Sequence, residues 1–335
     1  MSNMLKMPRK VFKLEDIGIS GSYYIEDIPF IPVEEISTYN ASEKHIKTNT
    51  GQVRTRLHQE KLVNHGAYGN LYAATRFGTD GPHPVLMKQA RLKEMNLTQE
   101  AILQHIAQQT MEKEGVPWCI PKVYDVFWKD SHVWFSMEQI SGYSVLHWFE
   151  SKTINADRDF LFLIAQTSLI LWCLENHLFL DHRDLKVDNL LIKPTPCTIT
   201  FNGWTLRSPF SIVLLDFGFA CLGSDSKTAL VNLGDGVLPP MDPCPKEGRD
   251  LFQLLVSLIS LKPFRDKVSH SLHDKIDGWL SVGKKSYGTM ARRWSTENWS
   301  YLVASQSGFS IQTCKPENIL LAIKNDLLGY LQFTH

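Results

Sequence analysis

The chain has 335 residues, 43% of them hydrophobic, enough to bury a sizeable core, and its 35 Lys and Arg balance its 35 Asp and Glu. Zero net charge argues against a general nucleic-acid binder, so no nucleic-acid partner is expected. The cysteines, Cys119, Cys173, Cys197, Cys221, Cys244 and Cys314, lie far apart with no C-x-x-C pair, which suggests neither a zinc site nor a disulfide framework but reduced thiols of an intracellular protein, cytoplasmic or nuclear.

Taken in chain order, Met1 to Lys10 is polar and basic and lacks the apolar core of a signal sequence. Residues 1–56 form an N-terminal extension with Tyr23-Tyr24, Pro29 and Pro32 and no readable motif. Val63 to Tyr72 reads V-N-H-G-A-Y-G-N-L-Y, with Gly66 and Gly69 three apart and Asn64 two before the first of them. Glycine lets a backbone approach a ligand closely and take unusual dihedrals; Asn tolerates left-handed backbone better than most residues. Val85-Leu-Met-Lys88 is a short apolar run ending on a cation. Thr98 to Thr110 patterns as a helix, with Ile102, Leu103, Ile106 and Ala107 on one side, Thr98 as a cap and Glu100 in the first turn. His132 to Ile140 is an apolar strand that ends in Met137-Glu138. The apolar run Phe160 to Leu174 is about 15 residues long and interrupted by Gln166, Thr167 and Ser168, too short for a membrane span.

Asp181 to Ile192 then reads D-H-R-D-L-K-V-D-N-L-L-I, and Leu214 to Ala220 reads L-L-D-F-G-F-A. Between them, Cys197 to Trp204 alternates polar and apolar residues around Asn202-Gly203, a hairpin turn signal. The expectation is that the strands flanking the two motifs are extended into one longer hairpin. Gly248 to Leu258 is a strongly apolar helix with Asp250 near its start, where an N-cap role is expected. Pro316 to Phe333 reads as one or two amphipathic helices.

The two motifs together resemble the catalytic loop and the metal-binding turn of eukaryotic-type protein kinases. That resemblance implies an α+β, two-lobed fold: a small antiparallel-sheet lobe with one main helix at 57–138, and a mainly helical large lobe at 139–335 with shortened late helices. It makes the Phe160 to Leu174 run the buried central helix leading into the catalytic loop. It implies ATP and Mg²⁺ as cofactors and a protein substrate phosphorylated on Ser or Thr, the class for which a Lys at 186 is typical. Asp184 would accept or orient the proton of the attacking hydroxyl, and Lys186 would reach the transferring phosphate. Asn189 and Asp216 would be the metal ligands, hard oxygens suited to Mg²⁺. Gly66, Tyr68, Gly69 and Leu71 would form the phosphate-covering loop. Lys88 would pair the phosphates and Glu100, and Leu86 would stand where a small residue usually faces adenine. Met137 would back the adenine site, with Glu138, Ile140 and Leu191 completing it.

Some positions depart from the family pattern. Asn64 replaces the first glycine, and Gln104 stands where an apolar residue is usual. Asn189 and Asp216 are 27 positions apart, roughly twice the usual gap. An insertion there resembles the haspin branch, although that branch lacks the D-F-G this chain keeps. No A-P-E follows; Leu238 to Pro243, L-P-P-M-D-P, occupies its place. Asp250 resembles the family's Asp that also holds the catalytic-loop backbone. Arg183 is the residue type that pairs with a phosphate on the segment after D-F-G, with Ser224, Ser226 and Thr228 as candidates. The departures leave two alternatives: a pseudokinase or scaffold, and a small-molecule kinase on the same fold.

Overall fold

The computed structural model describes residues 11–13, 22–24, 37–40, 42–47, 53–65, 69–78, 81–91, 97–151, 156–223, 229, 231–233, 243–294, 297–306 and 308–333. The chain divides into two compact units, Met1–Ile106 with Pro121–Ile140, and Ala107–Ile120 with Ser141–His335.

The first unit is built on strands β1 (Ser37–Asn40), β2 (His45–Lys47), β3 (Val53–His65), β4 (Gly69–Gly78) and β5 (Gly81–Ala90). Helix α1 (Thr98–Lys113) follows, then β6 (Val123–Lys129) and β7 (His132–Glu138). The strands close into a barrel in the order β1-β2-β3-β4-β5-β7-β6. This corrects the expectation of a plain antiparallel sheet confined to 57–138. The end of the extension supplies β1 and β2, and β1 closes the barrel by pairing parallel to β6, Ser37 opposite Phe127. Closure leaves no edge strand open to pair elsewhere. Alternation along β5 sends Val85 and Met87 into a cluster with Ile46, Leu57, Ala74, Phe127 and Trp134. A second cluster, Ala90, Leu97, Ala101, Val126, Val133 and Phe135, seats the start of α1. Helix α1 begins at Thr98 and runs to Lys113, three residues past the predicted end.

The second unit is organised around α2 (Asp157–Cys173), which continues through a π-turn at Leu174–Leu178. The combined 22 residues are long and apolar enough to cross a membrane, but 78% of the most apolar window is buried within the protein. The length exceeds the run read from the sequence because the π-turn carries the helix on. The polar interruption in mid-helix has a structural use. Gln166 is buried, and its Nε2 donates to Ser208 Oγ at 3.0 Å and to the Phe210 carbonyl at 3.1 Å. Its Oε1 accepts the Ile212 N–H at 3.1 Å and the Cys197 thiol at 3.2 Å.

Those four partners sit at the root of the inserted hairpin. Strand β8 (Leu190–Lys193) is followed by β9 (Cys197–Phe201), β10 (Trp204–Ser208) and β11 (Ser211–Leu214). β8 pairs with β11 in one sheet, and β9 pairs with β10 in another. The expected single long hairpin is therefore two. Pro194, Pro196 and Pro209 lie at the joints, and proline, having no N–H, cannot continue a ladder. The tip is the Asn202-Gly203 turn, with φ of 44° and 77°, the left-handed pair that a tight hairpin turn requires. Leu331–Phe333, expected to be helical, is instead a third strand on β10, Trp204 opposite Phe333.

Further on come α3 (Arg249–Ser260) and α4 (Asn298–Ser305), with short helices at His270–Trp279, Tyr287–Trp294 and Pro316–Ile323. Cys221 and Cys244 are joined in a disulfide, whereas Cys119, Cys173, Cys197 and Cys314 are free thiols. This corrects the reading of all six as reduced. The two lie 23 residues apart in sequence, a pairing that spacing alone does not reveal.

Candidate active site

Helix α3 sets the catalytic loop from one face. Asp250 and Ser257 are two helical turns apart and so project from the same side. Asp250 is fully buried; its two carboxylate oxygens accept the His182 N–H at 2.7 Å and the Arg183 N–H at 2.8 Å. Ser257 Oγ accepts the Val187 N–H at 3.2 Å. The backbone-holding role read for Asp250 is present, but the N-cap role is not. The N-cap is Gly248, at φ 79°, where a Cβ would meet the Cys314 carbonyl carbon at 2.9 Å. Arg183 takes φ 66°, a left-handed conformation costly for a non-glycine residue, which the two bonds to Asp250 help to hold.

The constrained loop presents Asp184. Lys186 Nζ donates to both of its carboxylate oxygens, at 3.1 and 3.0 Å. Asn189 Nδ2 donates to Oδ2 at 3.0 Å and to the Asp184 carbonyl at 2.7 Å, which leaves its amide oxygen as the atom a cation can use. The Tyr301 hydroxyl of α4 donates to Oδ1. Burial opposes the charge on Lys186, but Asp184 beside it prevails and holds the ammonium pKa above its ordinary value.

The D-F-G turn is tied to this loop through the backbone. The Leu215 N–H donates to the Asn189 carbonyl at 2.9 Å, and Phe217 is fully buried with its ring 5.2 Å from His182. His182 Nε2 lies 2.8 Å from the Leu215 carbonyl. Asp216, exposed and at φ 60°, accepts the Gly218 N–H at 3.2 Å. Leu191, partly buried on β8, pairs with Val213.

In the first unit, Lys88 and Glu100 are both buried and meet at 2.5 Å, the pair expected from the sequence. Leu71 stands opposite Lys88 on the β4–β5 ladder. A Cβ at Gly69 would come within 3.2 Å of Lys88 Cε and 3.1 Å of the Gln89 carbonyl, so only glycine leaves the lysine room here. Leu86 is directly opposite Met137 on β5–β7. The Glu138 N–H donates to the Lys122 carbonyl at 2.8 Å and is spent within the sheet. Ile140 is partly buried just beyond the strand. Gly66 and Tyr68 lie outside the described residues, as do the fallback Glu94 and the candidate phosphosites Ser224, Ser226 and Thr228.

Two departures gain a physical reason. Asn64 lies in the extended strand β3, beside a register shift, and its Oδ1 accepts the His65 N–H at 2.8 Å. No left-handed turn is needed there. Gln104, one helical turn after Glu100, is buried and donates to the Pro121 carbonyl at 2.8 Å and to Met137 Sδ at 3.6 Å. An apolar residue could fill the space but would leave that carbonyl without this donor. Arg183, read as a phosphate ligand, instead donates to the Asn232 side chain. Sequence reasoning also missed Ser257 and Tyr301. Both act on the loop from at least 70 residues away, and no local pattern marks them.

A family model for the protein kinase domain matches residues 57–236, more than half of the chain. The chain belongs to the protein kinase family. The match ends before α3, so the helix that anchors this kinase's catalytic loop lies beyond the matched span. Among solved structures, the kinase is similar to the crystal structure of the PF14_0431 kinase domain, at 19% identity and a TM-score of 0.37. That similarity covers 51% of this chain and 52% of the other, so it spans about half of its neighbour's length. No curated protein matches this kinase.

Proposed function

We propose that the chain is an active, ATP- and Mg²⁺-dependent kinase of Ser and Thr hydroxyls in proteins. The observation that carries this reading is the grip on Asp184: a buried carboxylate set on a loop held by Asp250, with Lys186 and Asn189 both bonded to it. Such a carboxylate is positioned to receive the proton of an attacking hydroxyl as the new oxygen–phosphorus bond forms. Lys186, bonded to Asp184 and kept charged by it, supplies a cation for the transferring phosphoryl oxygens. The donors fit the implied cofactors. The Asn189 amide oxygen and the Asp216 carboxylate are hard ligands of the kind Mg²⁺ selects. The Lys88 ammonium, steadied by Glu100, suits a polyphosphate, and Gly69 leaves it space. Bound Mg-ATP supplies the phosphoryl group and neutralises its charge. The Glu138 N–H is already spent, so the adenine edge would be read by the Glu138 carbonyl and the Ile140 N–H.

The residue class of the acceptor is tested by incubating the protein with γ-labelled Mg-ATP and dephosphorylated casein, then separating the phosphoamino acids. The reading expects phosphoserine and phosphothreonine. Phosphotyrosine alone would overturn the Ser/Thr assignment.

A further inference from the structure

The carboxylate of Asp184 has no place left for a substrate. Oδ1 accepts from Lys186 Nζ at 3.1 Å and from the Tyr301 hydroxyl; Oδ2 accepts from Lys186 Nζ at 3.0 Å and Asn189 Nδ2 at 3.0 Å. An ionised carboxylate offers about four lone-pair sites, so an incoming hydroxyl must displace one of these donors. Lys186 and Asn189 belong to the loop itself, two and five residues from Asp184, and Asn189 is held a second time by the Asp184 main chain. Tyr301 arrives from 117 residues away and is only partly buried. It also presents the chemistry of an acceptor, an O–H aimed at the base.

The helix that carries it is pinned. Trp299 stacks on Tyr287 at 17° between planes and meets Phe252 and Trp294 edge-on. Lys246 Nζ donates to the Ala304 carbonyl at 2.6 Å and the Gln306 carbonyl at 2.5 Å. With α4 fixed at both ends, the part free to turn is the Tyr301 side chain. Burial, then the Asp184 charge, pushes the phenol pKa well up, so it stays a protonated donor at neutral pH.

We propose that Tyr301 is a gate on the acceptor position, its hydroxyl holding the place on Asp184 Oδ1 that a substrate hydroxyl must take. The proposal rests on the reading of Asp184 as the proton acceptor. An acceptor then binds only the fraction of molecules with Tyr301 turned away, which weakens its apparent affinity by that fraction. The kinase is held at rest until a well-fitting substrate competes successfully.

The test is Tyr301→Phe, which keeps the ring and removes only the hydroxyl, compared with wild type by steady-state kinetics on dephosphorylated casein and Mg-ATP. The expected result is an acceptor KM lowered by about 5- to 50-fold, the range one bond to a charged group gives, with the ATP KM within about 2-fold. An unchanged acceptor KM, or a lower kcat at unchanged KM, overturns the gate and makes Tyr301 a strut that positions Asp184. If neither protein transfers phosphate although both bind Mg-ATP, the reading of Asp184 has failed, and the gate falls with it.

Discussion

Between Asp181 and Asn189 the chain is held by side chains from far away, whereas between Cys197 and Ser208 it is held mostly by its own ladder. Asp250 and Ser257 reach the first segment across at least 67 residues of sequence. The second pairs residue by residue from Cys197–Ser208 to Phe201–Trp204, and Gln166 grips only its root. The catalytic loop is irregular because it must aim Asp184, Lys186 and Asn189 at one place, so its backbone groups need partners from outside. The hairpin has no such task, and its backbone satisfies itself. A loop held by single residues fails when one is lost; a ladder shares the load.

Asp250→Ala gives the largest expected effect. It orphans two buried N–H groups, at about 1–3 kcal/mol each, and frees Arg183 from its left-handed conformation. Thermal unfolding should show a loss of about 2–5 kcal/mol, and transfer activity should fall even in the folded fraction. Gln166→Leu sharpens the contrast. It removes the bonds to Ser208, Phe210 and Ile212 and should cost about 2–3 kcal/mol. Transfer per folded molecule should nonetheless stay within about 2-fold of wild type, because the hairpin root does not touch Asp184. A large loss of kcat in this variant would break the distinction between the two regions.

The smallest effect is on pH dependence. Burial pushes the Asp181 carboxyl up to about 7 against the pull of Arg249, and buried Glu175 is raised for the same reason. The folded state therefore keeps a proton that the unfolded chain releases near pH 4. The sign follows: the contribution is full below about pH 4 and is lost as pH rises through about 7. Melting temperature should decline over that window, and Asp181→Asn should flatten the decline. An unchanged slope in the variant would show that Asp181 is charged throughout.

Much of the site was legible because its chemistry is local. Asp184, Lys186 and Asn189 lie within six residues, and the Asn202-Gly203 turn announces itself by its dihedral needs. The Lys88–Glu100 pair was legible through the resemblance, which singled out one glutamate among several. What stayed hidden is long-range. A buried Gln104 looks like a flaw until the Pro121 carbonyl appears beside it. The parallel β1–β6 pairing that closes the barrel joins segments about 90 residues apart. Tyr301 carries no sequence mark because its meaning is its contact with Asp184.

The account stands most directly on Asp184. The decisive measurement is the phosphoryl-transfer rate of Asp184→Asn beside wild type on casein, with the Mg-ATP dissociation constant of each measured by calorimetry. The account predicts a rate lower by at least about 1,000-fold, with ATP affinity within about 3-fold. A variant that keeps more than about a tenth of the wild-type rate would contradict it.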